Sequence, residues 1–163
     1  MNTGMGCDGV RVPLPDGPLR LACVVLDLNG TLGLDGALLP GVGRRVRALR
    51  RRMEVILVSG DTFGTARGAA EALGVPIRPL RAEEQGAQKL RIVSDLGAAS
   101  LAVVGNGRND AAALAAAAVG ICVVGPEGAA REALAAADVV VRSSQAALDL
   151  LLNPMRLAAT LRD

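Results

Sequence analysis

Short apolar runs alternate along the chain with helical patterns, and this alternation predicts the architecture. Residues 21–26 are all apolar and lead directly to Asp27. An uninterrupted run of this kind is typical of a strand that is buried on both faces of a sheet. Further strands are predicted at 54–59, 76–80, 101–104, 120–124 and 138–141.

Helical patterns occupy the intervals between these strands. They are predicted at 41–53, 62–73, 82–96, 109–118 and 128–136, with two more in the tail, one from Ser143 or Ser144 and one from Pro154. Strands that alternate with helices at this spacing indicate an α/β fold, in which right-handed crossovers connect the strands of a parallel sheet.

Two hairpins are predicted outside this alternation. Residues 10–14 alternate between apolar and other side chains, and a Pro-Asp-Gly turn follows them. We therefore divide the chain into an N-terminal segment with a hairpin, residues 1–20, and a core domain, residues 21–163. An Asp-Gly pair at 35–36, between short apolar stretches, predicts a second hairpin that could act as a flap beside Asp27.

The composition narrows the classes of function. The length of 163 residues suits one domain, and a net charge of +2 argues against bulk electrostatic binding to nucleic acid. No apolar run is long enough to cross a membrane and no signal-peptide pattern is present, so we expect a cytoplasmic protein without a membrane partner. Histidine is absent, which excludes Ser-His-Asp and Cys-His catalysis and every His-ligated metal site.

Two other groups of residues receive a structural interpretation. The helix at 41–53 carries six arginines opposite its apolar face, at positions 44, 45, 47, 50, 51 and 52. We interpret this as a solvated face; an acidic or nucleic-acid partner is the alternative, although no aromatic residues are interleaved for base stacking. Cys23 and Cys122 lie within apolar strands and are predicted to be small buried hydrophobic residues.

Acidic residues follow two of the predicted strands, at the edge of a parallel sheet where ligands bind. Asp27 ends the first strand, and Gly30 behind it allows a sharp turn with amides free to face an anion. An ordinary turn aspartate is the alternative for this segment alone. The strand at 101–104, however, is also followed by an acidic segment, Gly-Asn-Gly-Arg-Asn-Asp at 105–110. Two such strand ends together suggest a metal and phosphate site.

The polar residues at the strand ends are suited to phosphoryl transfer. This reaction needs a nucleophile, oxygen ligands for Mg²⁺ and donors around the phosphoryl oxygens. Asp27 could attack, Ser59 offers a hydroxyl group and Lys89 offers a positive charge. Asn106 and Asp110 offer the hard oxygen ligands that Mg²⁺ prefers. Taken alone, a lysine such as Lys89 on a helix is most often a surface lysine.

In this order, the segments resemble those of the haloacid dehalogenase-like superfamily, and particularly the phosphorylation domain of P-type ATPases. Residues 27–31, Asp-Leu-Asn-Gly-Thr, resemble the Asp-Lys-Thr-Gly-Thr segment of that domain. Residues 59–61, Ser-Gly-Asp, resemble its Thr-Gly-Asp, and residues 105–110 resemble its Gly-Asp-Gly-x-Asn-Asp. Lys89 has the place of its helical lysine. The resemblance extends from about residue 21 to about residue 141.

The resemblance implies a Rossmann-like sheet and a role for each matched residue. Asp27 would become an aspartyl-phosphate, and Asn29, through its backbone carbonyl, would help to hold Mg²⁺. The implied sets are Asp27, Asn29 and Lys89 for catalysis, Thr31, Ser59, Gly60 and Lys89 for the phosphoryl group, and Asp27, Asn29, Asn106 and Asp110 for the metal.

Two asparagines depart from the pattern of the superfamily's phosphatases. Those enzymes usually have a general acid and base Asp where this chain has Asn29, and an amide takes no proton from water at neutral pH. Loss of this role could lower the rate by ~10²–10⁴. Asn106 replaces a metal-binding Asp, which lowers the negative charge available to Mg²⁺.

No stretch is long enough for a cap domain, because 31–54 holds only a hairpin and a helix and 59–89 holds core elements. An open site favours a macromolecular phosphorylated substrate or a cover provided by another subunit of a homo-oligomer.

Our leading hypothesis is a soluble Mg²⁺-dependent phosphohydrolase that acts slowly through Asp27. Asn29 and Asn106 favour an alternative, a weakly catalytic or inactive domain that binds phosphate or a partner. A nucleic-acid binder would rest on the arginine helix alone. ATP-driven transport is not expected of this chain by itself.

Overall fold

A parallel sheet of six strands lies at the centre of the protein in a computed structural model that describes residues 7–60 and 64–162. In spatial order the strands are β10 (Val139–Val141), β9 (Val119–Val123), β8 (Leu101–Gly105), β3 (Cys23–Asp27), β6 (Glu54–Ser59) and β7 (Ile77–Pro79). All neighbouring pairs run parallel. The predicted α/β fold with a parallel sheet is thus confirmed.

Helices cover both faces of this sheet. The face that includes Leu26 packs against α1 (Val42–Leu49), α2 (Ala66–Leu73), α6 (Ser144–Leu152) and α7 (Pro154–Leu161). The face that includes Val25 packs against α3 (Gln85–Leu96), α4 (Ala111–Ala116) and α5 (Arg131–Ala136). Successive residues of a strand point to opposite faces, so both faces of β3 bury apolar side chains, as the uninterrupted run predicts.

The N-terminal hairpin is formed by β1 (Val10–Leu14) and β2 (Gly17–Leu21), which pair antiparallel. Leu21 therefore ends the hairpin, and the prediction that it begins the central strand is wrong. The reason is that Leu21 still pairs with Val10, whereas bonds towards the neighbours of β3 begin at Ala22, whose amide donates to the Ser100 carbonyl. The hairpin packs against α7, which ties it to the core.

The second predicted hairpin is also present, as β4 (Gly33–Leu34) and β5 (Ala37–Leu38). Within the described residues between β3 and α3, the elements are this hairpin, α1, β6, α2 and β7, and none of them forms a cap. The predicted start of a helix at Thr62 lies outside the described residues, as does Asp61. None of the described helices is long and apolar enough to cross a bilayer.

The arginine helix contributes more to the fold than a solvated face would. Arg45 donates from Nε and Nη2 to both carboxylate oxygens of Asp149 on α6, at 2.8 and 2.9 Å. Arg50 donates to the Leu73 carbonyl and Arg52 to the Leu152 carbonyl. These contacts join α1 and the turn after it to α2 and α6, so the interpretation as a solvated face is wrong for the half-buried Arg45 and Arg52, while Arg50 is exposed.

The two central cysteines are buried as predicted. Cys23 and Cys122 both pack in the core on the α3 side of the sheet. Burial, with a smaller contribution from the charge of Glu54, raises the pKa of the Cys23 thiol to about 12. A thiol with this pKa is not a nucleophile at neutral pH, which agrees with a structural role.

The close approach of β9 to α4 gives a test of the core packing. A Cβ atom on Gly120 would collide with the backbone carbonyl oxygen of Leu114 and lie 3.0 Å from its carbon. We expect Gly120→Ala to lower the free energy of unfolding by ~1–3 kcal/mol, measured by urea denaturation, because backbone has to move.

Gly68→Ala is the matched control for this substitution. Gly68 lies in α2, and an added Cβ would meet no heavy atom within 4 Å. We expect this variant to gain ~0.5 kcal/mol from the lower flexibility of the unfolded chain. An unfolding midpoint of Gly120→Ala equal to that of the parent protein would contradict the packing of β9 on α4.

Candidate active site

Asp27 ends β3 at the carboxyl edge of the sheet, and a tight loop follows it. The carbonyl oxygen of Leu28 accepts hydrogen bonds from three backbone amides, those of Thr31, Leu32 and Gly33, at 2.9–3.2 Å. Gly30 has a φ of 75°, a left-handed conformation that favours glycine. Because Leu28 and Leu32 are buried, the loop is anchored on both sides of the turn. The Asp27 carboxylate is therefore held in place by local structure.

Lys89 joins the two acidic strand ends. It projects from α3 and its side chain is only 4% exposed. Its Nζ donates to Asp27 Oδ1 at 2.8 Å and to Asp110 Oδ1 at 2.5 Å. The side chains of Asp27 and Asp110 are 12% and 2% exposed. One ammonium group thus lies between two carboxylates that the fold withdraws from water.

Asp110 is fixed by backbone as well as by Lys89. Its Oδ2 accepts from the amides of Asn106 and Gly107 at 3.0 and 2.9 Å. The carboxyl group lies so close to the end of β8 that a Cβ atom on Gly105 would collide with it. Glycine is therefore required at position 105, because the Asp110 side chain lies against the end of β8 there.

Thr31 and Asn106 form the other side of the site. Thr31 is fully buried, and its hydroxyl oxygen lies 3.1 Å from Asp27 Oδ2 and 3.1 Å from Asn106 Oδ1. A hydroxyl has one hydrogen, so it donates to one of these oxygens at a time. Asn106 donates from Nδ2 to the Gly128 carbonyl at 3.2 Å, which orients its amide oxygen towards Thr31.

The charges of the site shift its pKa values. Burial, followed by the negative charge of Asp110, raises the pKa of Asp27 to about 7, against the opposing effect of Lys89 and Thr31. Burial by itself would lower the pKa of Lys89, but the charges of Asp27 and Asp110 outweigh it and raise that pKa. Lys89 therefore stays charged, and the two carboxylates exceed it by one negative charge when both are ionised.

The remaining predicted residues lie around this cluster. Ser59 is buried at the end of β6, one residue beyond the Val58 that pairs with Asp27. Gly60 follows it, and a Cβ there would collide with the side-chain amide of Gln85. Asn29 is half-buried in the loop after Asp27, where it forms a bridge with Gly33. The structure thus brings Asp27, Thr31, Lys89, Asn106 and Asp110 into one hydrogen-bonded cluster, with Ser59, Gly60 and Asn29 on adjoining backbone.

Two residues beside the site were not identified from the sequence. Gln85 accepts from Asn109 Nδ2 at 2.9 Å and so ties the start of α3 to the turn that carries Asp110. The Glu127 carboxylate packs against Gly30, where an added Cβ would collide with it. The one available signal for Glu127 is its place in a Gly-Pro-Glu-Gly turn after β9, at the same sheet edge.

The oxygen atoms of this cluster fit a magnesium ion. Among the described residues, no group of three or more His, Cys, Asp or Glu side chains could hold a metal by itself. Asp27 and Asp110 supply two carboxylates, however, and the amide of Asn106 and the backbone of Asn29 supply neutral oxygens. Mg²⁺ commonly binds to one or two carboxylates and keeps several waters. The excess negative charge beside Lys89 favours a cation.

Comparisons with known proteins found sequence relatives among uncharacterized proteins and among transport ATPases. No family model matches the chain. An uncharacterized protein of Methanocaldococcus jannaschii is 44% identical over 79 residues, which are 46% of this chain and 85% of that protein. The potassium-transporting ATPase ATP-binding subunit of Halobacterium salinarum is 33% identical over 119 residues, which are 71% of this chain and 16% of the subunit. The chain thus spans a small part of the transporter's length.

Two solved structures are similar over most of the chain. The cobalt-bound deoxy-D-mannose-octulosonate 8-phosphate phosphatase of Haemophilus influenzae has a TM-score of 0.68 at 19% identity and covers 85% of this chain and 91% of its own. The second is the 3-deoxy-D-manno-octulosonate 8-phosphate phosphatase of Moraxella catarrhalis in complex with a magnesium ion, a phosphate ion and a KDO molecule. Its TM-score is 0.61 at 16% identity, and the match covers 85% of this chain and 90% of the phosphatase chain.

The structural likeness shows a Rossmann-like α/β fold shared with these phosphatases, and the sequence likeness extends to P-type ATPases. Together these likenesses confirm the resemblance to the haloacid dehalogenase-like superfamily that the motifs of the chain indicated.

The position of Lys89 leads to a prediction about stability. We expect Lys89→Met to lower the free energy of unfolding by ~3 kcal/mol in urea, because Asp27 and Asp110 then face each other without a cation. The second change Asp27→Asn should restore part of this loss by removing one of the two charges.

Arg91→Met, on the exposed face of the same helix, is the control and should change stability by less than ~0.5 kcal/mol. A Lys89→Met protein as stable as this control would show that Lys89 does not neutralise the two carboxylates.

Proposed function

We propose that the chain is a Mg²⁺-dependent phosphohydrolase that acts through an aspartyl-phosphate on Asp27. The observation that carries this proposal is the contact of one buried lysine with both Asp27 and Asp110 at the carboxyl edge of the sheet. The similarity of the fold to two sugar-phosphate phosphatases supports it.

In the first step, an Asp27 oxygen attacks phosphorus while the bond from phosphorus to the leaving oxygen breaks. The leaving oxygen takes up a proton from solvent water, because Asn29 has none to donate. In the second step, water attacks the same phosphorus, the bond to Asp27 breaks and inorganic phosphate leaves with the Asp27 carboxylate restored. Attack requires ionised Asp27, and the Lys89 charge favours that form against the effect of burial.

The other residues of the cluster bind the phosphoryl group. Lys89 contributes a fixed positive charge next to the nucleophile, and Thr31 a hydroxyl group within 3.1 Å of it. Ser59 and the Gly60 amide would complete the set of donors from β6. Mg²⁺, held by Asp27, Asp110, the Asn106 amide oxygen and the Asn29 carbonyl, would neutralise the charge of the phosphoryl oxygens.

Asn29 is expected to make the enzyme slow. Its amide cannot protonate a leaving group or take a proton from water, so the step that depends most on proton transfer should limit the rate. Substrates with good leaving groups need less protonation and should react best in the first step.

The open edge of the sheet suggests the kind of substrate. The β4–β5 hairpin follows the Asp27 loop, and it is too small to cover the site because it has two residues in each strand. We propose a phosphorylated macromolecule, or a smaller phosphorylated molecule enclosed by a second subunit of a homo-oligomer.

A phosphate- or partner-binding domain without turnover is the second candidate. Asn106 favours it, because its amide is engaged by Thr31 and the Gly128 carbonyl and adds no charge to the metal site. The two candidates differ in whether Asp27 becomes phosphorylated.

The role of Asp27 can be tested by substitution. We expect Asp27→Asn to abolish Mg²⁺-dependent hydrolysis of acetyl phosphate, because an amide oxygen is a poor nucleophile, and to lose the binding of beryllium fluoride. Asp35→Asn, in the exposed turn between β4 and β5, is the control and should keep both. Equal phosphatase activity in Asp27→Asn and the parent would refute the proposed nucleophile.

The role of Asn29 separates the two candidate functions. With labelled acetyl phosphate and Mg²⁺, we expect the parent protein to accumulate phosphoenzyme that decays slowly. Asn29→Asp should speed the decay by ~10²-fold or more, because the new carboxyl group can accept a proton from water.

Asn153→Asp, at the exposed junction of α6 and α7, adds the same charge away from Asp27 and should leave the decay unchanged. If neither the parent nor Asn29→Asp retains label or releases phosphate, the binding domain becomes the better description.

A further inference from the structure

A basic site, distinct from the Asp27 cluster, lies on the flank of α3 that does not carry Lys89. A cleft of about 400 Å³ opens between the carboxyl end of β7 and this helix. We call it the arginine cleft. The residues that matter in its lining are Arg78, Leu80, Arg81, Gln88, Arg91 and Ile92.

The cleft has an excess of positive charge. Its three arginines are exposed, and no acidic side chain among residues 7–60 and 64–162 forms an ion pair with any of them. Arg45, by contrast, pairs with Asp149 at 2.8 Å. Guanidinium groups that share a small space repel one another, and an anion between them relieves that repulsion while it accepts their hydrogen bonds.

One wall of the cleft is fixed without any ligand. The Gln88 side chain accepts from the Arg81 amide at 3.0 Å and donates to the carbonyls of Arg81 and Glu83. These bonds hold the connection from β7 to α3 against the helix. A site with a preformed wall loses less conformational entropy when it binds a ligand.

The floor of the cleft is apolar. Leu80 is 8% exposed and its amide bonds to the Ser59 carbonyl, while Ile92 is half-buried. Cationic groups around an apolar floor fit an organic ligand that carries a phosphate or carboxylate better than they fit a free inorganic ion. A volume of about 400 Å³ is within the range of small-molecule sites.

The cleft also lies near Asp27. In the sheet, β7 is separated from β3 by β6 alone. Neighbouring strands lie about 4.8 Å apart, so the strand ends are roughly 10 Å apart. Gln88 and Arg91 share α3 with Lys89, so one helix contributes to both sites. A ligand with two anionic groups could reach from one site to the other.

We propose that the arginine cleft binds a phosphate or carboxylate group of an organic ligand. The group belongs either to the far end of the molecule that is hydrolysed at Asp27, in which case this inference rests on the proposed function, or to a separate ligand. The chemistry of recognition is the same in both cases, and it depends on Arg78 and Arg91.

Hexanediol bisphosphate and hexyl phosphate are the probes, because they share one chain and differ in a second phosphate. The ratio of their kcat/KM values is measured with Mg²⁺ for the parent, for the double variant Arg78→Gln with Arg91→Gln, and for Arg11→Gln. Arg11 is the control, because it is exposed on β1, which packs against α7, and it does not line the cleft.

If the bound group is part of the substrate, the parent prefers the bisphosphate and the double variant loses this preference by about tenfold, equivalent to ~1.4 kcal/mol. Arg11→Gln keeps it. If the group belongs to a separate ligand, this ratio is the same in all three proteins. Calorimetry, carried out with Asp27→Asn added to each protein, then shows binding of hexyl phosphate. The double variant weakens this binding about tenfold, and Arg11→Gln leaves it unchanged.

The inference is overturned if the double variant changes neither the ratio nor the binding of either probe. Absence of hydrolysis by the parent for both probes would agree with the slow reaction expected of poor alkyl leaving groups, and the proposed function is judged by acetyl phosphate instead. The calorimetric measurement would then decide on the cleft by itself, because it needs no turnover.

Discussion

The buried charge of Lys89 is the interaction on which the site depends. Burial, followed by the negative charge of Asp110 in the turn after β8, raises the pKa of Asp27 at the end of β3 to about 7. The ammonium group contacts both carboxylates and keeps the nucleophile available in its ionised form. Because one ammonium cannot balance two carboxylates, the cluster retains a negative charge that favours the binding of a divalent cation.

The fold explains how these groups meet. Parallel strands end at one edge, so Asp27 after β3, Ser59 after β6 and the Asn106 segment after β8 converge although they are far apart in sequence. The core packs on both faces of the sheet and leaves this edge for polar side chains. Asn29 and Asn106 are neutral amides, so they bring neither negative charge nor proton-transfer capacity to this edge. A slow enzyme and a binding domain are therefore the two functions to distinguish.

The sequence was sufficient for the sheet and for the main cluster, because apolar runs mark buried strands and acidic residues mark their ends. The sequence was insufficient to predict side-chain contacts between residues that only tertiary packing brings together. Arg45 pairs with Asp149, 104 positions away, and nothing in the helical pattern of 41–53 indicates this contact. Glu127 reaches Gly30 and Leu21 ends a hairpin for the same kind of reason. The unpaired charge of the arginine cleft likewise becomes visible only when β7 and α3 are placed side by side.

The central claim is that Asp27 carries the phosphoryl group. Its most direct test is to treat the protein with acetyl phosphate and Mg²⁺, quench it in acid, and reduce the acyl-phosphate with borohydride. Reduction converts a phosphorylated aspartate to homoserine, which peptide mass spectrometry locates. We predict homoserine at position 27 in the parent protein and none there in Asp27→Asn. Homoserine at another aspartate, or none in the parent protein, would contradict the assignment of Asp27 as the nucleophile.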